Sequence, residues 1–207
     1  MLKIYGRANS INVRKVLWMV EELGLEYERE DWGRGYRATS EAEFKQINPF
    51  EVVPAIIDGD YTLRESNTIV RYLATRHGRE DLFPSNLEQR FRCEAWMDWA
   101  SQDLYVDVRP IMMARVFNVA EFQDEQIQKK AQNGWTRMME MLEQYLAGGG
   151  DYLMGDSFTI ADIPAGLVVN RWYAIDFPKP ELPKIQAYYD RLFERPPYKA
   201  HGRNGMP

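Results

Sequence analysis

The sequence has very little of two residue types on which much enzyme chemistry depends. It contains one cysteine, Cys93, among 207 residues, which excludes an internal disulfide, a Cys-x-x-Cys redox pair and a cysteine-based metal site. Its two histidines, His77 and His201, follow a predicted helix and lie near the end of the sequence, which argues against a histidine metal site or a catalytic triad. We therefore expect no metal, and chemistry that uses hydroxyls, amides, helix ends or a bound co-substrate.

Long apolar runs and clusters of basic residues are also missing. No run approaches the ~20 apolar residues of a membrane-spanning helix, and the stretch from Met1 to Tyr5 lacks the apolar core of a signal peptide. The formal net charge is −5, with no cluster of lysine or arginine, which argues against a nucleic-acid partner. We expect a cytoplasmic protein that binds neither membranes nor nucleic acid.

What the sequence does contain is enough for one large domain or two small ones, since 45% of its residues are hydrophobic. Periodicity in the first half predicts a strand, a helix, a strand, a short helix, two short strands and a helix. These cover Leu2 to Gly6, Val13 to Leu23, Glu26 to Asp31, a helix ending near Ile47, and the stretch from Asn48 to Arg76 with a hairpin turn at Asp58-Gly59. The predicted order is βαβαββα.

The second half is helical almost throughout. Its pattern predicts helices over Leu87 to Phe117, Phe122 to Ala147 and Pro183 to Glu194. Pro110 is expected to bend or divide the first of them. Thr159 and Asp162 have the spacing of a capping box, in which the threonine caps an N–H three residues on and the aspartate reaches back. Beyond Pro197 we expect a loosely ordered tail.

Two short motifs of the first half indicate a binding site. Val53-Pro54 precedes an apolar run, where a cis bond would leave the Val53 N–H and C=O free to pair with something other than the sheet. Glu65-Ser66 opens the following helix, where unpaired N–H groups, the helix dipole and a hydroxyl together favour a carboxylate. Taken singly, Pro54 also reads as a strand start and Ser66 as a helix cap.

In this order, the motifs resemble the glutathione-binding half of the cytosolic glutathione transferases, and in particular bacterial serine-type or asparagine-containing members of theta-, phi- or nu-like kind. The resemblance implies an α+β fold, with an N-terminal thioredoxin-like domain over residues 1–78 and an all-helical bundle domain over residues 87–207. It implies that Val53 and Pro54 offer backbone groups to the cysteinyl part of glutathione, and that Glu65 and Ser66 hold its γ-glutamyl end. Glutathione is then a co-substrate, and the reaction is conjugation of its thiolate to small electrophiles, as in detoxification.

The resemblance also implies catalytic candidates in the loop after the first strand. Serine-type transferases carry their serine at this strand-to-helix junction, where Ser10 stands, whereas Tyr5 lies within the strand and is expected to face the core. A hydroxyl donor and a helix N-terminus favour a thiolate over a thiol. Asn12, followed by Arg14 and Lys15, resembles instead the asparagine of bacterial relatives that reduce disulfides with glutathione, and an amide N–H also stabilises a thiolate. For Ser10 the alternative is a plain helix cap.

Two further parts of the site are expected from the same resemblance. The glycine carboxylate of glutathione needs a cation or a polar group from the segment before Asn48, where the candidates are Lys45, Arg37, Arg34 and Trp32. The acceptor pocket beside the sulfur is expected to use Tyr105, Arg109, Met112, Met113 and Trp172, for each of which core packing is the alternative.

Three functional classes stay open on the sequence. The missing active-site cysteine favours conjugation, while Asn12 and its basic neighbours favour a glutathione-dependent disulfide reductase or peroxidase. A non-catalytic interaction module, as this fold serves in translation-factor subunits, would need no glutathione. A homodimer is implied by the resemblance and supported by the aromatic-rich stretch from Trp96 to Tyr105.

Overall fold

The computed structural model describes residues 1–207. The first half contains β1 (Leu2–Tyr5), α1 (Ile11–Glu22), β2 (Tyr27–Glu30), α2 (Ala42–Ile47), β3 (Ala55–Asp58), β4 (Tyr61–Arg64) and α3 (Ser66–Arg76). The strands form one mixed sheet in the order β2-β1-β3-β4. β1 runs parallel to β2 and antiparallel to β3, so that Leu2 pairs with both Tyr27 and Asp58. The predicted βαβαββα order is confirmed.

The second half is helical, as predicted. It contains α4 (Leu87–Ser101), α5 (Asp103–Arg115), α6 (Glu125–Ala147), α7 (Asp162–Ala174), α8 (Pro183–Phe193) and α9 (Pro196–His201), with a 3-10 turn at Ala120–Phe122. None of these helices has both the length and the apolar character needed to span a bilayer. Of these helices, α9 was not predicted from the sequence, and α7 was indicated only by the capping box at its start.

The break between α4 and α5 does not fall at the predicted proline. Pro110 lies inside α5, whereas the chain leaves regular helical geometry at Gln102, with φ −115° and ψ −71°. Val108, Ile111 and Met112 around the proline are buried. Their packing holds the helix together at a position where proline removes only one backbone hydrogen bond.

One hydrophobic core joins the two halves of the chain. Trp18 of α1 is fully buried and packs on Phe158, with ring centroids 5.6 Å apart, and on Tyr198, at 4.7 Å, both from the helical half. Helix α7 runs through this core, and its residues from Asp162 to Trp172 are all buried. The division into domains over residues 1–78 and 87–207 stays a prediction.

Asp162 at the start of α7 connects three segments of the helical half. Its carboxylate accepts hydrogen bonds from the N–H groups of Thr159 (2.9 Å) and Leu153 (3.0 Å) and from the hydroxyl of Tyr188 (3.0 Å). Burial raises the pKa of Asp162 to about 6, while these hydrogen bonds favour its ionised form. The predicted hydrogen bond between the Asp162 carboxylate and the Thr159 N–H is confirmed. The predicted cap by the Thr159 side chain is wrong, because its hydroxyl donates to the same carboxylate at 3.4 Å and accepts no N–H of the helix.

The end of the chain is ordered, contrary to the expectation of a loose tail. Arg14 of α1 is 1% exposed, and its guanidinium donates to the backbone carbonyls of His201 (2.5 Å) and Pro207 (3.0 Å). Asn170 of α7 donates to the Met206 carbonyl at 2.7 Å. The last residues are held in place because a buried guanidinium needs acceptors for its N–H groups.

Candidate active site

Two adjoining cavities lie between the sheet half and the helical half. The Ser66 cavity has a volume of about 370 Å³, and its lining includes Asn12, Lys15, Glu65, Ser66, Arg71, Asp98 and Ser101. The Ser10 cavity has a volume of about 450 Å³, and its lining includes Arg7, Ser10, Arg34, Val53, Met113 and Arg171. Ile11, Asn12 and Tyr105 line both cavities. One elongated ligand can therefore occupy both.

Ser10 directly precedes α1 and is 9% exposed. It stands at the cap position of the helix, but its side chain accepts no hydrogen bond from the first turn. The alternative explanation of Ser10 as a plain helix cap therefore lacks its defining contact. The side chain lines the Ser10 cavity at a helix N-terminus, an arrangement that suits a negatively charged ligand atom.

The start of α3 presents a second anion site to the Ser66 cavity. Ser66 is the first residue of the helix and is 8% exposed, so the free N–H groups of the first turn and the serine hydroxyl share one location. The preceding residue, Glu65, has φ +69° and ψ 111°, which is an unusual backbone conformation for a side chain with a Cβ. Such outliers concentrate at ligand sites, where the surrounding structure holds them.

Val53 lies on the wall of the Ser10 cavity. The peptide bond between Val53 and Pro54 is cis, which is the geometry that would free the Val53 backbone for a ligand. Neither the N–H nor the C=O of Val53 forms a backbone hydrogen bond within the chain. These two groups remain available to pair with the backbone of a ligand in the cavity.

Lys15 is a site residue whose importance the sequence analysis missed. It is 5% exposed, and its ammonium donates to the Ser101 hydroxyl at 3.2 Å and lies 3.5 Å from the Ser66 hydroxyl. The Ser66 hydroxyl donates in turn to the Asn12 side-chain oxygen at 3.3 Å. The pKa of Lys15 is lowered to about 7, chiefly by burial and in part by the nearby guanidinium of Arg171, while the carboxylate of Glu65 opposes this shift.

Arg171 is the second residue that the sequence analysis missed. It lies near the end of α7, is 5% exposed, and lines the Ser10 cavity. The sequence did contain a signal for it, because an apolar run from Ile163 to Val169 is followed by Asn170 and then by this charged residue. Charged side chains are almost never fully buried without a partner or a function.

The residues expected at the glycine carboxylate are separated by the structure. Arg37 stacks over Trp32 at 3.8 Å and its guanidinium pairs with Glu41 and Glu43, which together raise the pKa of Arg37. Lys45 pairs with Glu51 at 3.0 Å. Neither Arg37 nor Lys45 lines the Ser66 cavity or the Ser10 cavity, whereas Arg34 lines the Ser10 cavity.

The predicted acceptor pocket is only partly assembled. Tyr105 and Met113 line the Ser10 cavity. Met112 is buried in the core at 2% exposure, and Trp172 is buried against Trp135 and Phe177. Both therefore have the core-packing role that the sequence left open as the alternative. Arg109 is exposed and its guanidinium lies 5.1 Å from the ring of Phe122, outside both cavities.

Two other side chains with reactive groups are excluded from catalysis because they are buried. Tyr5 packs in a small cluster with Trp32 and Phe44, and burial raises the pKa of its hydroxyl. Cys93 is fully buried, and burial raises the pKa of its thiol to about 11, which makes it unreactive. No group of three or more His, Cys, Asp and Glu side chains is arranged to hold a metal ion.

Comparison with known proteins gives consistent matches over both halves. Residues 1–75 match the family profile "Glutathione S-transferase, N-terminal domain", and residues 104–196 match "Glutathione S-transferase, C-terminal domain". Glutathione S-transferase GstB of Escherichia coli (strain K12) is 34% identical over 198 residues, which are 95% of each chain. Glutathione S-transferase 3 of Zea mays is 28% identical over 206 residues, 96% of this chain and 91% of the relative.

Solved structures agree with these sequence matches. The theta class glutathione S-transferase from the citrus canker pathogen Xanthomonas axonopodis pv. citri, with glutathione bound, has a TM-score of 0.89 and 34% identity, covering 97% of this chain and 96% of that one. The apo form of the same enzyme has a TM-score of 0.81. Glutathione Transferase E6 from Drosophila melanogaster has a TM-score of 0.84 and 25% identity, covering 100% of this chain and 93% of that one.

The lowered pKa of Lys15 predicts a specific dependence of stability on pH. Between about 7, the folded pKa, and 10.5, the ordinary value, unfolding takes up a proton on Lys15. The free energy of unfolding should therefore rise with pH in this window by about 1.4 kcal/mol per pH unit from this residue, and lose that gain as the pH falls towards 7. Lys15→Met should remove this contribution, as measured by urea unfolding at pH 7.5, 8.5 and 9.5.

Lys129→Met is the matched control, because Lys129 is exposed on α6. Its stability should change with pH in parallel with that of the unmodified protein. If the free energy of unfolding of the Lys15→Met protein also changes with pH in parallel with that of the unmodified protein, Lys15 has an ordinary pKa in the fold and its burial does not lower that pKa.

Proposed function

Because the chain belongs to the glutathione S-transferase family, we propose that it binds glutathione across the Ser66 and Ser10 cavities and joins the thiolate to small electrophiles. The chain is a transferase, and glutathione is its co-substrate. The observation that carries the assignment is that three groups along the adjoining cavities lack hydrogen-bond partners within the backbone. They are the N-terminus of α3 at Ser66, the backbone of Val53, and the side chain of Ser10, which does not cap its helix. They correspond in order to the γ-glutamyl end, the cysteinyl backbone and the sulfur of glutathione.

The γ-glutamyl carboxylate is assigned to the Ser66 cavity. There the Ser66 hydroxyl and the first-turn N–H groups of α3 would donate hydrogen bonds to it, and Lys15, 3.5 Å from the Ser66 hydroxyl, would supply a positive charge. Glu65 and Asp98 line the same cavity and suit the ammonium group of the same residue. Both charges of the γ-glutamyl end then have partners.

The other end of glutathione is assigned to the Ser10 cavity. Val53 pairs with the cysteinyl backbone, next to the cis bond with Pro54. For the glycine carboxylate, Arg34 is preferred to Lys45 and Arg37, because the latter two already form ion pairs with glutamates outside the cavity.

Catalysis consists of favouring the thiolate of glutathione over its thiol. An ordinary thiol has a pKa of about 8.5, and lowering it by two units requires about 2.7 kcal/mol of preferential stabilisation. A donated hydrogen bond from Ser10, together with the N-terminus of α1, is of this size. The thiolate then attacks the electrophile, for which Tyr105 and Met113 supply the remaining wall.

A glutathione-dependent disulfide reductase is the second candidate, and Asn12 is the observation that favours it. Asn12 lines both cavities, and its side-chain oxygen accepts from Ser66, which leaves its amide N–H groups free to face the sulfur. Conjugation is preferred, because the cavities contain no cysteine to form a mixed disulfide.

Parallel assays separate these two reactions. With glutathione present, 1-chloro-2,4-dinitrobenzene should be conjugated, seen as thioether absorbance, with a higher kcat/KM than that for reduction of bis(2-hydroxyethyl) disulfide, followed by coupled oxidation of NADPH. Faster turnover of the disulfide would favour the reductase. A folded protein that binds no glutathione up to several millimolar, by calorimetry, would contradict both and leave an interaction module.

Different effects are expected for the two serines at the two helix starts. Ser10→Ala should leave glutathione affinity nearly intact, raise the pKa of the bound thiol and lower turnover at neutral pH about tenfold or more, with part of it regained at alkaline pH. Ser66→Ala should weaken glutathione binding by roughly 1 to 3 kcal/mol and leave the titration of the thiol unchanged. Ultraviolet absorbance of the bound thiolate against pH measures the first effect, and calorimetry the second.

Ser157→Ala is the control for both variants, because Ser157 is exposed and outside both cavities. Should Ser10→Ala leave the thiol titration unchanged while Asn12→Ala raises its midpoint, the thiolate-stabilising role belongs to Asn12.

We also propose that the protein is a cytoplasmic homodimer that acts in detoxification. Exposed apolar side chains support the dimer, since Phe50 is 61% exposed, Val52 50% and Phe91 58%. The aromatic side chains of the stretch from Trp96 are less available than the sequence suggested, because Trp96 packs on Trp99 and Tyr145. Sedimentation equilibrium should give twice the chain mass of 24.3 kDa, and a monomer at micromolar concentration would contradict the dimer.

A further inference from the structure

Arg171 is a buried cation with no partner in the chain. It is 5% exposed, and its Nε is fully buried without a hydrogen-bond partner. The pKa of Arg171 is lowered to about 10, chiefly by burial, with Arg14 and Arg7 lowering it and the Tyr105 hydroxyl opposing the shift. The guanidinium forms no salt bridge, unlike that of Arg195 with Glu22. An unpaired buried charge is costly, and a ligand that pairs with it recovers this cost.

The Ser10 cavity as a whole carries an excess of positive charge. Arg7 and Arg34 line it together with Arg171. The Nε of Arg7 is also buried without a partner. The one carboxylate of the lining, that of Glu51, is paired with Lys45 at 3.0 Å. Three arginines thus line a cavity of about 450 Å³ whose one carboxylate is already paired.

Glutathione by itself does not use all of this charge. Its glycine carboxylate lies with Arg34 in the proposed arrangement, and Arg7 belongs to the same sheet half, in the loop after β1. Arg171 belongs to the helical half, as do Tyr105 and Met113, which form the acceptor side of the cavity. The guanidinium of Arg171 is therefore left for the second substrate.

We propose that Arg171 binds a carboxylate on the electrophile, and that the preferred substrates of this enzyme are anionic electrophiles. The inference rests on the proposed function, because it names the substrate class of the same site. A planar guanidinium suits this task, since it donates two parallel hydrogen bonds to one carboxylate and so fixes the orientation of the substrate as well as its position. An apolar cavity wall would select only for shape.

The reaction on such a substrate is an aromatic substitution. In 4-chloro-3,5-dinitrobenzoate the glutathione thiolate attacks the carbon that carries chlorine, the C–S bond forms, and the C–Cl bond breaks with its electron pair leaving as chloride. No oxidant or reductant takes part. The carboxylate is not changed in the reaction and stays paired with Arg171 throughout.

The test compares 4-chloro-3,5-dinitrobenzoate with 4-chloro-3,5-dinitrobenzamide, which has the same shape and no charge. The kcat/KM of each is divided by its uncatalysed rate with glutathione, so that only the contribution of the enzyme is compared. For the unmodified protein the acid should exceed the amide by about tenfold or more. Arg171→Gln should lower this acid-to-amide ratio about 10- to 100-fold, and Arg171→Lys should retain part of it.

Arg137→Gln is the matched control, because Arg137 is exposed on α6 and outside both cavities. It removes the same charge and should leave the ratio unchanged. If Arg171→Gln fails to fold, inhibition of the unmodified protein and of Arg171→Lys by 3,5-dinitrobenzoate and by 3,5-dinitrobenzamide decides. The acid should bind at least about tenfold more tightly to the unmodified protein, and the lysine should reduce that preference.

The outcomes distinguish failure of the inference from failure of the proposed function. If neither compound is conjugated, and no glutathione binds, the proposed function itself is wrong. If both are conjugated with a ratio near one, the enzyme is a transferase and the inference is overturned. If Arg171→Gln lowers both rates equally and raises the pKa of the bound thiol, Arg171 acts on the thiolate and the inference is again overturned.

Discussion

The burial of α1 between the two halves of the chain is the constraint on which the rest of the structure depends. Trp18 packs against aromatic rings of the helical half, and Arg14 holds the end of the chain through backbone carbonyls. These contacts fix α1 in position and direction, so its N-terminus opens at the junction of the halves. Ser10 and Asn12 therefore occupy a defined position in the site, although neither makes a large packing contribution itself.

The same burial gives the site its electrical character. Lys15 and Arg171 are held inside the protein without a salt bridge, and burial lowers the pKa of each. A buried charge of this kind reduces the stability of the empty protein and strengthens the binding of an anion that reaches it. Glutathione, with a carboxylate at each end and a thiolate between them, has the distribution of charge that such a site requires. The site is thus built to gain stability when its ligands bind.

Backbone groups carry as much of the site as side chains do. The Val53 N–H and C=O are unpaired in a segment where the sheet has not yet begun, and Glu65 adopts φ +69° just before the free N–H groups of α3. A regular strand or a regular cap would have satisfied these groups within the chain. Their irregular geometry leaves them directed at the cavities, and it is this geometry that separates a ligand site from ordinary strand and helix ends.

The sequence by itself determined the order of strands and helices in the first half of the chain, the motifs at Val53-Pro54 and Glu65-Ser66, and the family, because local periodicity and short spacings encode these features. The tertiary structure decided which side chains share a cavity. It brought Arg171 into the lining of the same cavity as Ser10 and placed Trp172 and Met112 in the core, since the directions of side chains in the helical half depend on packing between helices that lie far apart in the sequence. It also revealed the burial of Lys15, because a lysine on an amphipathic helix looks exposed until the element that covers it is known.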